Sequence, residues 1–393
     1  MQKIKQTSLQ HIMIHGGNRM KKIMRICTTL LLTLTILVPN FFVKASNIDP
    51  NLIPNEIIEQ INIALLSVVD DKEHFGMSDV DFSTLAVSSP IPMYEYVNKT
   101  FCYIGEWYPL VSNNHIVAIA TSPTGNGFCI SSSILSKTLD SINENNIAIL
   151  YDMDEAYAYN GKNLIPLFDI SPEDIDVDER YMPYRDNIES NSDIDFSNVQ
   201  LSSASDLTML GFSDSGLARS TLNTYSCNVS YVTQYPYSNL CWAATLACIK
   251  NYLSGTTLTA GAVSSQCFNS PSVIDVGMPG SNVAFFMQNN YSMSYTYQNA
   301  VPSDSAMISN LSAGYPIYGG FVWYSNTNPP VAHGHACTIY SISYISPSVK
   351  SINVMDPSYG AGISTATFNG TNYVFTSAYG HDMFLQEGIC HTW

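Results

Sequence analysis

Cys241 opens the run Cys241 to Leu253 (CWAATLACIKNYL), which is rich in alanine and carries Leu246, Ile249 and Leu253 on one helical stripe. A cysteine in the first turn of a helix sits where the helix dipole and free N–H groups favour the thiolate, the attacking form of the side chain. Gln234 lies seven positions upstream. Pro236 and the Tyr237-Ser238-Asn239 run keep that segment out of helix, and Asn239 is expected to help cap the start. From such a loop the Gln234 amide could donate to the same oxygen as the Cys241 N–H, forming an oxyanion hole. One donor of that kind is typically worth about 10²–10³ in rate. Taken alone, Cys241 reads as well as a small buried hydrophobe, as Cys248 does one helical face away.

Two later stretches change that balance. Gly334-His335-Ala336 leads into the strand-like run Cys337 to Ile342, and Ser351 to Asp356 is a second strand ending in Asp356-Pro357. Adjacent antiparallel strands would bring His335 to Asp356. His335 could then take the Cys241 proton while Asp356 fixes the imidazole tautomer. His333 competes for the role from two residues away, and Asp356 could be an ordinary turn residue before proline. A zinc pair of His333 and His335 lacks a third and fourth ligand in the sequence, so neither metal nor cofactor is expected.

The order Gln234…Cys241-Trp-Ala-Ala, Gly-His335-Ala, Val-Met-Asp356-Pro resembles the papain-like cysteine peptidases, most closely the subgroup of bacteriocin-leader peptidases and staphopain-like secreted enzymes. The resemblance covers about residues 225–393. The pieces between also fit it: helix-like runs at 281–288 and 303–311, Gly-Tyr-Pro316, and a strand from Ile317 to Trp323. Asp356 stands where papain itself has asparagine, although aspartate occurs in this subgroup. The resemblance implies an α+β catalytic domain, with a helical lobe carrying the cysteine packed on an antiparallel β-sheet lobe carrying His and Asp. It implies protein or peptide substrates. It also implies that the β-rich α+β region ahead of this domain is a propeptide, which assists folding and inhibits until cut.

The elements that must position these residues follow from the rest of the chain. Met20 to Arg25 is basic, Ile26 to Val38 is apolar apart from threonines and Cys27, and Val43-Lys44-Ala45 offers a cleavage site. That is the plan of a secretory signal peptide, too short for a comfortable membrane span. Residues 1–45 are thus assigned to an N-terminal extension and signal, 46–170 to the propeptide domain, 171–220 to an acidic linker and 221–393 to the peptidase domain. In the propeptide region Asn55 to Val69 reads as an amphipathic helix, with strands near 93–97, 101–107, 115–120 and 148–151. From Ser171 to Gln200 nine acidic residues face two arginines, and Leu217 to Ser220 is an accessible place for a cut.

Net charge is −16 with only 12% charged residues, which argues against nucleic acid, since phosphates are held mainly by Lys and Arg. Export permits disulfides, and the eight cysteines left after the signal could form four bridges or include a catalytic thiol. The expectation is a secreted enzyme, free or held at the cell surface, with no stable membrane insertion once the signal is cut. Its own propeptide would be its intramolecular inhibitor. Two other readings stay open: a thiol acyltransferase or transglutaminase-like enzyme using the same triad, and a non-catalytic exported interaction protein rich in Tyr, Asn and Ser.

Overall fold

The computed structural model describes residues 53–167, 194–212 and 222–393, apart from short gaps at 98, 124–126, 133–138, 141, 143–145, 153–154, 204–206, 326–328, 359–361 and 378–379. The signal peptide and the Leu217–Ser220 cut lie outside the described residues. The front half runs α1 (Asn55–Val69), β1 (Ala86–Ser88), β2 (Ile91–Val97), β3 (Thr100–Ser112), β4 (His115–Thr121), β5 (Cys129–Ser132), β6 (Asn146–Asp152), β7 (Glu155–Tyr159), β8 (Leu164–Pro166), β9 (Ser202–Ser203) and β10 (Leu207–Met209). The back half follows as β11 (Asn223–Ser226), α2 (Cys241–Ser254), α3 (Ala260–Cys267), α4 (Gly280–Tyr291), β12 (Tyr295–Gln298), α5 (Asp304–Ser312), β13 (Ile317–Tyr324), β14 (Ala332–Ile345), β15 (Ser348–Asp356), β16 (Gly362–Phe368), β17 (Tyr373–Thr376) and β18 (Asp382–His391).

The last six strands close on themselves. β13 pairs with β14, β14 with β15, β15 with β16, β16 with β17, β17 with β18, and β18 returns to β13, all antiparallel. Closure satisfies every strand on both sides and removes the sheet edges. The core of the barrel includes Phe321 edge-on to Phe375 at 5.3 Å, with Ile339 and Leu385 buried beside them. β14 is buried without a break from Ala336 to Ser343. Its other side is covered too: Thr338 Oγ1 donates to the Thr245 carbonyl of α2 at 3.5 Å.

α1 forms where the sequence places its apolar stripe, and Ile61, Ala64, Leu65 and Val68 are buried on it. That face enters the same hydrophobic cluster as Tyr340, Ile352 and Val354 of the barrel. Polar contacts reinforce the join. The Asp71 carboxylate, just past α1, accepts from Asn353 Nδ2 at 2.9 Å and lies 2.6 Å from His74 Nδ1, whose ring is 4.9 Å from that of Tyr340. β5 adds backbone pairing, with Ser132 opposite Ile363 and Ser131 opposite Ser364 of β16.

The two halves therefore share one core and one hydrogen-bonded strand system, where composition alone suggests separable units. The linker is also shorter than 171–220. Residues 194–212 belong to the front half, because β9 pairs with β6, β10 with β1, and Phe196 stacks on Phe101 and Tyr159. Leu210 and Phe212 are buried as well. Their apolar side chains outweigh the acidic composition around them. All eight cysteines among the described residues are free.

Because fully buried residues of both halves meet, a cut between them will not separate them. With a specific protease site inserted after Ser215, the cut halves should co-elute in gel filtration and part only in denaturant; separation in native buffer would disprove the shared core. A second outcome concerns pH. The Asp71 hydrogen bond raises the His74 pKa above 6.5, burial opposing it and the Asp71 charge adding to it. A raised folded pKa gives stability that is fully present below 6.5 and is lost as pH rises through the folded value. In urea melts, the advantage of the native chain over His74→Gln should therefore shrink as pH rises above 6.5. A constant or growing difference would contradict this.

Candidate active site

Cys241 is the first residue of α2, as its sequence context predicts, and Gly255 closes the helix in the left-handed conformation at φ 63°. α2 is buried nearly all round by small and apolar residues, with Leu240, Trp242 and Leu246 in a cluster shared with α3, α4, β13 and β18. The Trp242 indole donates to the Val276 carbonyl at 2.8 Å. It is a core residue, whereas Tyr237 and Trp323 are partly exposed.

Asn239 does not cap α2. The N-cap position is Leu240, and no side chain caps the helix. Asn239 N–H and Ser238 N–H instead donate to the Asp275 carboxylate at 2.8 and 3.1 Å. The 274–276 segment is fixed for this by Trp242 and by Ser264, whose hydroxyl donates to the Ile274 carbonyl at 2.7 Å. The turn before Cys241 is thus held from outside, and no side chain competes for the first N–H groups of the helix.

Gln234 lies in the loop leading to α2. Its N–H donates to the Pro357 carbonyl at 2.8 Å, tying that loop to the end of β15. Its Nε2 donates to the carbonyls of Tyr237 at 3.2 Å and Ser238 at 3.1 Å. Two acceptors fix this amide orientation, since a flip would set oxygen against oxygen. The expected oxyanion donor is therefore engaged within its own loop, and its Oε1 is buried without a partner.

His335 and Asp356 meet across the barrel wall. Thr338 pairs with Met355, so one step further along the antiparallel register puts Cys337 opposite Asp356, and His335 follows on the same face. His335 Nε2 lies 2.7 Å from Asp356 Oδ1, with side chains 9% and 1% exposed. The Ser358 hydroxyl is 3.3 Å from the same ring nitrogen, and Ser358 N–H donates to Asp356 Oδ1 at 2.9 Å. Burial pushes the imidazole pKa down, but the Asp356 charge, the Cys337 thiol and hydrogen bonds from Asp356 and Cys241 together hold it well above 6.5. Burial likewise pushes Asp356 up, and the His335 charge and the hydrogen bonds from His335 and Ser358 more than offset this and lower it. A buried pair so arranged is stable only while both partners are present.

The structure thus pairs His335 with Asp356 through Nε2, and Cys241, at the start of α2, is among the groups that raise the imidazole pKa. His333 is not part of this group. It stacks on Trp323 at 4.1 Å, and His381 stacks on the same indole at 3.9 Å. Burial, then the neighbouring His333, lowers His381 to about 4. Sequence reasoning overlooked Ser358 and Cys337. The period of two from His335 would have flagged Cys337, and the position two residues beyond Asp356 would have flagged Ser358 as a turn partner.

Residues 223–372 match the sequence profile of the papain-like cysteine protease AvrRpt2 family. The matched span contains Gln234, Cys241, His335 and Asp356; the front half, β17 and β18 lie outside it. No curated protein matches the chain in a sequence comparison. The family match, together with a mixed α+β architecture, supports a papain-like cysteine peptidase, a hydrolase whose substrates are proteins.

Proposed function

We propose that the chain is a secreted cysteine endopeptidase made as a zymogen, with Cys241 as nucleophile, His335 as general base and acid, and Asp356 as the group that orients His335. The observation that carries this reading is the buried His335–Asp356 pair at 2.7 Å with the first residue of α2 beside it. With Nε2 held by Asp356, Nδ1 is the ring nitrogen left to serve Cys241. His335 takes the thiol proton as Cys241 Sγ attacks the peptide carbonyl carbon. The oxyanion is received by the Cys241 N–H at the uncapped helix start and by Gln234. Collapse of that intermediate expels the amine with a proton from His335, and water then releases the acyl group from sulfur.

The described state fits a latent enzyme. Gln234 spends its amide hydrogens on Tyr237 and Ser238, so the oxyanion hole lacks one donor until the loop rearranges. Folding assistance by the front half is supported by the shared core, and an inhibitory role is proposed from its position ahead of the matched span. Secretion rests on the residue 20–45 pattern. A free Cys241 speaks against a purely structural thiol in a disulfide.

The test is casein cleavage together with labelling by an epoxide or iodoacetamide inhibitor, before and after the engineered cut. Cys241→Ala should abolish both labelling at that position and hydrolysis. Gln234→Ala should lose about 10²–10³ in kcat with little change in labelling. Asp356→Ala should lose at least about 10² in kcat/KM. An inactive, unlabelled wild-type chain, or activity that survives Cys241→Ala, would sink the proposal. Incorporation of added amines in preference to hydrolysis would point instead to acyl transfer.

A further inference from the structure

The barrel face that carries His335 holds a second thiol for which the peptidase mechanism has no use. Cys337 is fully buried and free. One ring nitrogen of His335, the Cys337 sulfur and an Asp356 carboxylate oxygen all lie within 4.8 Å of one another. Asp356 is 1% exposed, and its Oδ2 is buried with no hydrogen-bond partner. An orphaned carboxylate oxygen deep in a protein is costly and marks a group that can take a further partner.

We propose that His335, Cys337 and Asp356 form a three-ligand inhibitory site for a thiol-seeking divalent cation, represented by zinc. One nitrogen, one sulfur and one oxygen suit such an ion and not calcium or magnesium, which take oxygen ligands. Zinc binds these atoms at about 2.0–2.3 Å, so donors up to 4.8 Å apart must draw together by about 1 Å. Burial pushes the Cys337 thiol up to about 12, so the arriving cation must displace its proton. The balance is simple: metal–ligand bonds form, the Cys337 thiol proton and the proton shared by His335 and Asp356 leave to solvent, and nothing is oxidised or reduced. While the cation is bound, His335 has no free nitrogen lone pair for the Cys241 proton, and hydrolysis stops. That consequence rests on the peptidase reading; the binding does not.

Full-length wild type, Cys337→Ala, Cys337→Ser and Cys241→Ala are titrated with Co²⁺, and hydrolysis is titrated with Zn²⁺, each rate being referred to that variant's own uninhibited value. The wild type should bind Co²⁺ with a near-ultraviolet thiolate charge-transfer band. Both Cys337 variants should weaken that binding, and Zn²⁺ inhibition, by at least about tenfold, and a chelator should restore activity. Thermal melts identify any variant that has failed to fold, and the two Cys337 substitutions guard against loss of one. Absence of a thiolate band in the wild type overturns the proposal. So does equal binding by wild type and folded Cys337 variants, which would leave the cation on Cys241 and His335 alone. If the chain hydrolyses nothing, the Co²⁺ titration still decides the metal site while the peptidase reading fails separately.

Discussion

The pairing of β14 with β15 is the constraint on which the site depends. A closed barrel permits little slippage, because a one-residue shift of either strand would send every side chain to the opposite face. His335, Cys337 and Asp356 share a face only in the register observed. The buried imidazole and carboxylate then stabilise each other in a place where either alone would be destabilising. α2 is docked against the same strand, so the position of Cys241 is set by packing along the whole helix and not by a local contact.

Much of this was legible in the chain. The α1 bounds match the expected Asn55–Val69, and the strand containing Asp356 ends where Asp-Pro suggests. The helix beginning at Cys241 was legible because alanine and leucine favour helix and Pro236 bars it upstream. What escaped the reading was built from weakly patterned segments. α3 is a short helix of small residues, AGAVSSQC, with little stripe to detect. β16 (GISTATF) is rich in Ser, Thr and Gly and β17 is only four residues long, and their strand character comes from barrel closure. The Gln234 side chain illustrates a different limit. Spacing places it near Cys241, but the carbonyls that its amide finds are decided by the loop between them.

The front half shows how composition can mislead about independence. An acidic, polar stretch reads as a spacer, yet Phe196, Leu210 and Phe212 within it are packed. α1 and β5 are bound to the barrel by an apolar face, a buried carboxylate and backbone pairing together. Three kinds of interaction at one junction explain why the halves behave as a single body even though the chain between them is open to cutting by its composition.

The barrel also draws its own limits in a place that sequence kinship does not. The matched span stops at residue 372, just before β17, while the wall closes only when β18 has returned to β13. A chain ended at that point would leave β13 as an open edge, offering unpaired N–H and C=O groups to a neighbouring molecule, while β16 would keep its pairing with β15 and β5. The smallest piece of this protein that can close the barrel is therefore larger than the piece that matches the family profile, and the residues after 372 act as the stave that keeps the cask shut.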